Sequence, residues 1–377
     1  MQGHVRKRGK SSWTVVVELG RDPQTAKRRQ LWRSVKGTRK EAEALLVRLL
    51  HQRDTGIDTP PGKLILGEYL KRWLVEYARP NTAPKTFRRY EQIVRVHLLP
   101  SLGSIPLTKL RPLHIQQVYA QVRGKGLSAR TALHCHRVLR EALQHALRWQ
   151  LIDRNPADSV EPPRPIRHEI PALSPDDAQR VLAAAESTSY DCLVYLALMT
   201  GLRQGELLGL RWQDVNLEAS VLHVRQTCQW LPREGFIFRQ PKTYRGTRPV
   251  ALSRATVERL RQHRRRQLEE RLAAGPAYED KDLVFANALG APVHPTNLRR
   301  AWLAIAREAG LGRLRFHDLR HAHASLLLQQ GVHPKIVSER LGHSGVGITL
   351  DIYSHVVPNL QAQAANGLDT LLSRARI

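Results

Sequence analysis

Residues 316–356 read FHDLRHAHASLLLQQGVHPKIVSERLGHSGVGITLDIYSHV, and the rest of the chain is best understood from this stretch. Leu319, Ala322 and Leu326 recur at helical spacing, which predicts an apolar stripe on one side of a helix, with His317 and Arg320 on the other, toward a cleft or solvent. Gly342, within Leu341-Gly342-His343-Ser344, fits the end of a helix, and Tyr353 stands ten residues beyond His343. Histidine, arginine, histidine and tyrosine together supply titratable groups, an anion donor and a nucleophile. Phosphoryl transfer uses that set.

Composition indicates the kind of partner. The 377 residues hold 60 Lys plus Arg against 33 Asp plus Glu, a formal net charge of +27. A field of that sign attracts a polyphosphate, with affinity arising partly from released counterions. DNA or RNA is the expected partner, and charge alone does not separate the two. Cys135, Cys192 and Cys228 have no paired spacing, which supports neither a disulfide framework nor a zinc ribbon. The apolar run Val15 to Val17 is too short for the core of a signal peptide, and Leu193 to Met199 is far short of a membrane span. A soluble cytoplasmic protein with no membrane partner is expected.

His317-Asp318-Leu319-Arg320, Leu341-Gly342-His343-Ser344 and Tyr353-Ser354-His355-Val356 resemble, in order and spacing, the C-terminal signature of tyrosine recombinases, the phage integrase family. Upstream, Thr200-Gly201-Leu202-Arg203-Gln204-Gly205-Glu206-Leu207 resembles the segment carrying the family's first arginine, and Pro241-Lys242-Thr243 its β-hairpin lysine. One tetrapeptide recurs by chance; five motifs in the family's order are hard to obtain that way.

The fold class expected is multi-domain and mainly α. Residues 1–62 carry a β-branched-rich run at Trp13 to Leu19, a turn at Gly20-Arg21-Asp22-Pro23 and a second β-like run at Gln30 to Val35 before a Thr38 and Glu41 capping box, predicting a small sheet with one helix. This segment resembles the arm-type DNA-binding domain of integrases from phages and conjugative transposons, with Arg6, Lys7, Arg8, Lys27, Arg28 and Arg29 as DNA contacts. Residues 63–155 have helical periodicity, with a turn expected to end the first helix at Arg79-Pro80-Asn81. They resemble a helical core-binding domain with Arg88 and Arg89 toward DNA. Residues 156–171 carry repeated prolines and are expected to form a semi-extended linker. Residues 172–377 form the expected catalytic domain, mixed α+β and mostly helical, opened by Ser174 as N-cap and Pro175 as first helical residue. Its strands are expected at 220–225, 236–240 and 247–252, followed by an arginine-rich helix over 253–274 that either tracks phosphates or stays solvated.

The resemblance implies a site-specific recombinase that cleaves and rejoins DNA through a 3′-phosphotyrosine, for integration and excision of a phage or mobile element. It makes Tyr353 the nucleophile and Arg203 and Arg320 a phosphate clamp. His317 and His343 become acid–base or phosphate-donating groups, their division of labour left open, and Lys242 the leaving-group acid. Glu206 is expected to orient Arg203 or a histidine, and His321 and His323 to pack around the site; Arg245 and Arg248 flank the lysine hairpin and are also candidates for phosphate contact. The implied partners are double-stranded DNA at core-type and arm-type sites, a homotetramer on that DNA, an excisionase and a host DNA-bending protein. Neither metal nor cofactor is implied, because the phosphotyrosine conserves the energy of the broken strand. The rival readings are a chromosome-dimer-resolving recombinase or a type IB topoisomerase of the same chemistry, and a DNA-binding regulator with a lapsed active site.

Overall fold

The computed structural model describes residues 3–9, 11–21, 28–54, 64–166, 173–241 and 244–353. They divide into two compact units, Met1–Arg167 and His168–Ile377.

The first unit opens with an antiparallel sheet in which β1 (Gly3–Gly9), β2 (Ser12–Arg21) and β3 (Arg28–Lys36) lie in sequence order. Strand alternation sorts its faces. Val5, Trp13, Val15, Val17, Leu31 and Val35 pack with Ala42, Leu45, Leu46 and Leu49 of α1 (Arg39–Asp54). The other face carries two cross-strand rows, His4 with Val16 and Trp32, and Arg6 with Thr14 and Ser34. Helix α1 starts where the capping box was expected: the Thr38 N–H donates to Glu41 Oε2 at 2.7 Å, and the Glu41 N–H to Thr38 Oγ1 at 3.4 Å.

The helices that follow are α2 (Leu66–Trp73), α3 (Arg79–Asn81), α4 (Pro84–Ile93), α5 (Leu99–Leu102), α6 (Pro112–Gly124) and α7 (Ala129–Arg148). Leu66, Tyr69, Leu70 and Trp73 recur on one stripe of α2 and are all fully buried. The helix ends at Asn81, within the tripeptide expected to stop it, but Arg79-Pro80-Asn81 is itself helical and not a turn. The chain widens into a π-helical turn at Leu74–Ala78, closed by the Arg79 N–H on Leu74 O, and continues helically through the proline. Val94–Leu98 repeats the device ahead of Pro100, with the Leu99 N–H on Val94 O. Within a regular α-helix each proline would lose a bond and press on the carbonyl four residues back, and the wider turn moves that carbonyl aside. The proline-rich run also begins differently from the expected linker. Asn155 caps a 3₁₀ turn at Pro156–Ser159, and Ala157 and Val160 belong to the helical core.

In the second unit α8 (Pro175–Glu186) begins with the anticipated Ser174 cap, whose hydroxyl accepts from the Asp177 N–H at 3.1 Å. Helices α9 (Asp191–Thr200) and α10 (Gln204–Leu208) precede a three-stranded antiparallel sheet in the order β4 (Val215–Asn216), β5 (Val221–Val224), β8 (Arg248–Ala251). Between β5 and β8 a hairpin, β6 (Thr227–Leu231) with β7 (Gly235–Arg239), forms a separate pair. Strand β6 was not anticipated, because its turn places Arg233 at φ 72° as well as Gly235 at φ 80°, and an arginine gives no turn signal there. Then come α11 (Arg254–Ala274), α12 (Pro295–Glu308), α13 (Asp318–Gln329), α14 (Pro334–Leu341) and α15 (Val346–Tyr353). One core joins α8 to α13 and the three-stranded sheet, with Trp302 and Leu319 at its centre.

Candidate active site

Two glycines set the geometry. Helix α9 ends at Gly201 with φ 65°, and α14 ends at Gly342 with φ 66°. Both conformations are left-handed, where a side chain is costly, and both turns present carbonyls to arginines. A Cβ at Gly201 would come within 2.6 Å of Leu341 Cδ2, so the two helix ends also pack directly.

Three successive carbonyls at the end of α14 each meet a different arginine. Arg248 Nε donates to Arg340 O at 2.7 Å, Arg320 Nη2 to Leu341 O at 2.7 Å and Arg203 Nη2 to Gly342 O at 3.3 Å. Arg320 Nη1 also holds Gly201 O at 2.7 Å, and Arg245 reaches Ser344 O. The negative end of the helix dipole favours this gathering of cations. Arg320 is 3% exposed, which removes the solvent-facing alternative of the expected cleft or solvent position. The reason is that α13 is covered on several sides: Asp318, Leu319, Ala322, His323, Ala324 and Ser325 are buried as well, so one apolar stripe does not define its inner face.

Glu206, 2% exposed, joins two of the arginines. Its Oε1 accepts from Arg203 Nη1 at 2.8 Å, its Oε2 from Arg248 Nη2 at 3.0 Å, and Oε2 also takes the Arg203 backbone N–H at 2.9 Å. Burial pushes this carboxyl up, but Arg248 and then Arg203 overcome it and hold it below the ordinary carboxylate range. The Arg203 side chain stays 41% exposed. Arg248, considered above for phosphate contact, is 6% exposed and committed to Glu206 and to carbonyls. Alternation along β8 contained the clue, since Arg248 shares its inward face with Val250 and a charge there requires a buried partner.

His343 follows Gly342 directly and is buried, with Nδ1 2.9 Å from Thr349 Oγ1 of α15. Desolvation first, then Arg320 and Arg203, push its pKa down to about 4. His317 is the N-cap of α13, and its exposed ring lies edge-on to His321 at 5.1 Å. Surrounding protein removes enough of its hydration to lower its pKa, and Arg320 adds to the effect. His321 is pushed down to about 4, chiefly by burial and then by His317. His323 is structural: its Nε2 accepts from Arg340 Nε at 3.1 Å, so Nδ1 carries the proton given to Leu198 O at 2.8 Å. Arg340 continues to Met199 O and Ala251 O, tying α14 to the ends of α9 and β8.

Arg203, Glu206, Arg320 and His343 are thus brought together. Tyr353 terminates α15. Lys242 lies outside the described residues, as does Lys27. Arg28 and Arg29 are on β3, their side chains outside the description. Arg6, Lys7 and Arg8 are exposed on β1, with Arg6 on the face away from α1 and Lys7 paired with Trp13 on the other. On α4, Arg88 is half-buried and Arg89 exposed. The arginines of α11 are largely engaged within the unit: Arg266 with Asp191 at 2.9 Å, Arg271 with Asp280 at 2.6 Å, and Arg259 and Arg264 over the rings of Tyr195 and Trp212.

Among the described residues no cluster of His, Cys, Asp and Glu could hold a metal ion, and no helix is long and apolar enough to cross a membrane. The three cysteines are free and buried.

Residues 171–359 match the phage integrase family, and residues 65–121 match the phage integrase N-terminal SAM-like domain. A XerC-like tyrosine recombinase of Caldanaerobacter subterraneus subsp. tengcongensis is 31% identical over 383 residues, covering 97% of each chain. The chain belongs to the phage integrase family of tyrosine recombinases. The ICEBs1 integrase of Bacillus subtilis is 25% identical, covering 98% of this chain and 100% of its own. Among solved structures, the Tn1549 transposon integrase in complex with a circular intermediate DNA superposes with a TM-score of 0.70 at 19% identity, covering 81% of this chain and 100% of that one. A lambda integrase tetramer bound to a Holliday junction gives 0.58 at 18%, covering 93% and 94%. These structures share the fold, mostly helical with small antiparallel sheets. As a tyrosine recombinase the protein is a site-specific enzyme that breaks and rejoins DNA strands.

Proposed function

We propose that this tyrosine recombinase is the integrase of a phage or conjugative element, with Tyr353 as its nucleophile. The observation supporting this reading is the meeting of Arg203, Arg320 and His343 at the end of α14, just ahead of the helix that ends in Tyr353. In the forward half-reaction the Tyr353 phenolic oxygen attacks the scissile phosphorus and the bond to the 5′-oxygen breaks. A 3′-phosphotyrosine and a 5′-hydroxyl result. In the second half a 5′-hydroxyl, from the same or a partner strand, attacks that phosphorus and expels the tyrosine.

A phenol's ordinary pKa of ~10 requires help at neutral pH. Arg203 and Arg320 supply positive charge to the non-bridging oxygens, where loss of one such donor costs about 3 kcal/mol at the transition state. His343, neutral because of its lowered pKa, donates a hydrogen bond to the phosphate or relays a proton. His317 shares this task, and Lys242 protonates the departing 5′-oxygen. Glu206 keeps Arg203 pointed at the phosphate.

Residues 1–62 read arm-type DNA through the sheet face bearing Arg6, with Lys7, Arg8, Lys27, Arg28 and Arg29 as further DNA contacts; residues 63–155 bind the core site, with Arg88 and Arg89 toward phosphates. Four protomers act on two duplexes, the assembly for which the lambda tetramer on a Holliday junction is the precedent. An excisionase and a host DNA-bending protein set direction, and the work takes place at the nucleoid in the bacterial cytoplasm. The XerC-like relative favours a second reading, resolution of chromosome dimers by the same chemistry. Recombination between element and host attachment sites, and not between two replication-terminus sites, separates them.

Tyr353→Phe tests the chemistry. Wild-type protein on a nicked core-site duplex should form a covalent adduct; the variant should bind with equal affinity and form none. An adduct with the variant would overturn the assignment.

A further inference from the structure

We infer that Thr349 is a positioning residue for His343, fixing which imidazole nitrogen faces the scissile phosphate and coupling that ring to the helix that ends in Tyr353. The inference rests on the roles proposed above for His343 and Tyr353.

The backbone and the side chain of His343 belong to different helices. Its N–H donates to Ser338 O at 3.1 Å, which makes the residue part of the cap of α14. Its Nδ1 lies 2.9 Å from the hydroxyl of Thr349, which is fully buried on α15. Thr349 precedes Tyr353 by four residues, one helical turn. The histidine is therefore the joint between the arginine-held end of α14 and the helix of the nucleophile, and the threonine hydroxyl is the pin.

A threonine inside a helix commonly bonds back to its own carbonyls, or serves as a β-branched apolar filler when buried. Here the hydroxyl faces a ring nitrogen instead. For Nε2 to carry the proton given to the phosphate, Nδ1 must accept, and the Thr349 hydroxyl is the donor placed to hold the ring in that neutral tautomer and orientation. With Nδ1 occupied, Nε2 is the nitrogen that meets the phosphate. Burial and the neighbouring arginines keep the ring neutral, so the protein has to set tautomer and direction, not charge. A partner that fixes the far nitrogen of a working histidine is the same device that orients a metal-ligating or general-base imidazole.

The test compares Thr349→Val, which keeps shape and loses the hydroxyl, with Thr349→Ser, which keeps the hydroxyl and loses a methyl. Single-turnover cleavage of a nicked core-site duplex should fall by on the order of 10²-fold in the valine variant, the lower range for loss of one acid–base contribution. DNA affinity should be unchanged, and serine should restore cleavage to within about 3-fold of wild type, as expected if the hydroxyl and not the packing is used. Nitrogen-15 shifts of His343 in the full-length protein should report one neutral tautomer in the wild type and the serine variant, and a mixture in the valine variant. Valine cleaving at the wild-type rate, or serine as defective as valine, would overturn the inference. A tautomer mixture in the wild type would do the same without reference to DNA. Absence of any wild-type adduct, with a single tautomer retained, would count against the recombination chemistry and in favour of the Thr349 contact.

Discussion

Glu206→Gln removes one charge and almost no volume from the centre of the site. Its main effect falls on Arg248, which is 6% exposed and would keep only neutral acceptors, among them the carbonyls of Arg340 and Gly246, and no counter-charge. Breaking a buried pair from one side costs about 3–5 kcal/mol, because the remaining charge is uncompensated. The pair with Arg203 adds little, since a side chain 41% exposed is screened by water. For a domain of about 200 residues, at ~2–4 °C per kcal/mol, the melting temperature should fall by roughly 6–20 °C. Glu206→Gln combined with Arg248→Met should recover part of this loss, because the uncompensated charge is gone, although the glutamine stays buried and the carbonyls of Arg340 and Gly246 lose a donor. Cleavage should not recover. Arg203 would still lack the carboxylate that aims it, and misplacement of a clamp by about 1 Å lowers single-turnover rates on the order of 10²-fold. Circular dichroism melts and cleavage of a nicked duplex measure the two effects separately. A single variant melting within about 2 °C of wild type, or a double variant no more stable than the single, would refute the reasoning.

Acid should destabilise the catalytic unit early: His323, His321 and His343 have folded pKa values near 3, 4 and 4, below the unfolded value, so the unfolded chain binds more protons at moderately acid pH. Their stabilisation is complete above about pH 6.5 and is lost as pH falls from there through the folded values, so His323→Gln should flatten the melting temperature's dependence on pH between about 6.5 and 4; an unchanged slope would contradict this. Lys242→Ala should cleave ordinary DNA very slowly and regain most of the rate on a substrate with sulfur at the bridging 5′ position, whose thiolate leaves without an acid. Arg320→Ala should gain no such relief, and equal defects of Lys242→Ala on both substrates would reassign the lysine to phosphate contact. Removing residues 1–62 should spare core-site binding and abolish a separate, strongly salt-dependent footprint; an unchanged footprint would remove the arm-binding role.

How much of this was legible in advance depended on whether local sequence or distant packing decided the outcome. Caps were readable, since Ser174 and Thr38 act on neighbours three residues away. So was the glycine end of α14, where the left-handed turn is a property of one residue; the same turn at Gly201, which ends α9, lay inside a motif read only for its arginine. The passage of the helices through Pro80 and Pro100 was not, because the π turns that permit it arise from backbone rearrangement and not from any residue type. The arginines were recognised as a set but misjudged individually. Arg320, placed toward a cleft or solvent, is enclosed among carbonyls, and Arg248, a candidate for phosphate contact, is held by Glu206. A lone charge in a sequence does not name its partner 42 residues away. Thr349 gave no signal for the same reason.

The end of α14 has a consequence for how such a chain can vary. Arg340, Leu341 and Gly342 offer their carbonyls to guanidinium groups from three separate elements: strand β8, helix α13 and the start of α10. Those contacts use backbone atoms, so they tolerate many side chains at 340 and 341. They do not tolerate a change of register. Adding or deleting one residue in α14 would turn the helix end by roughly 100° and point each carbonyl away from its arginine. Among descendants of this sequence, insertions and deletions should be filtered out between Pro334 and Gly342 while substitutions persist, and length variation should collect instead in exposed connections such as Tyr278 to Lys281, where the backbone bears no such three-way alignment.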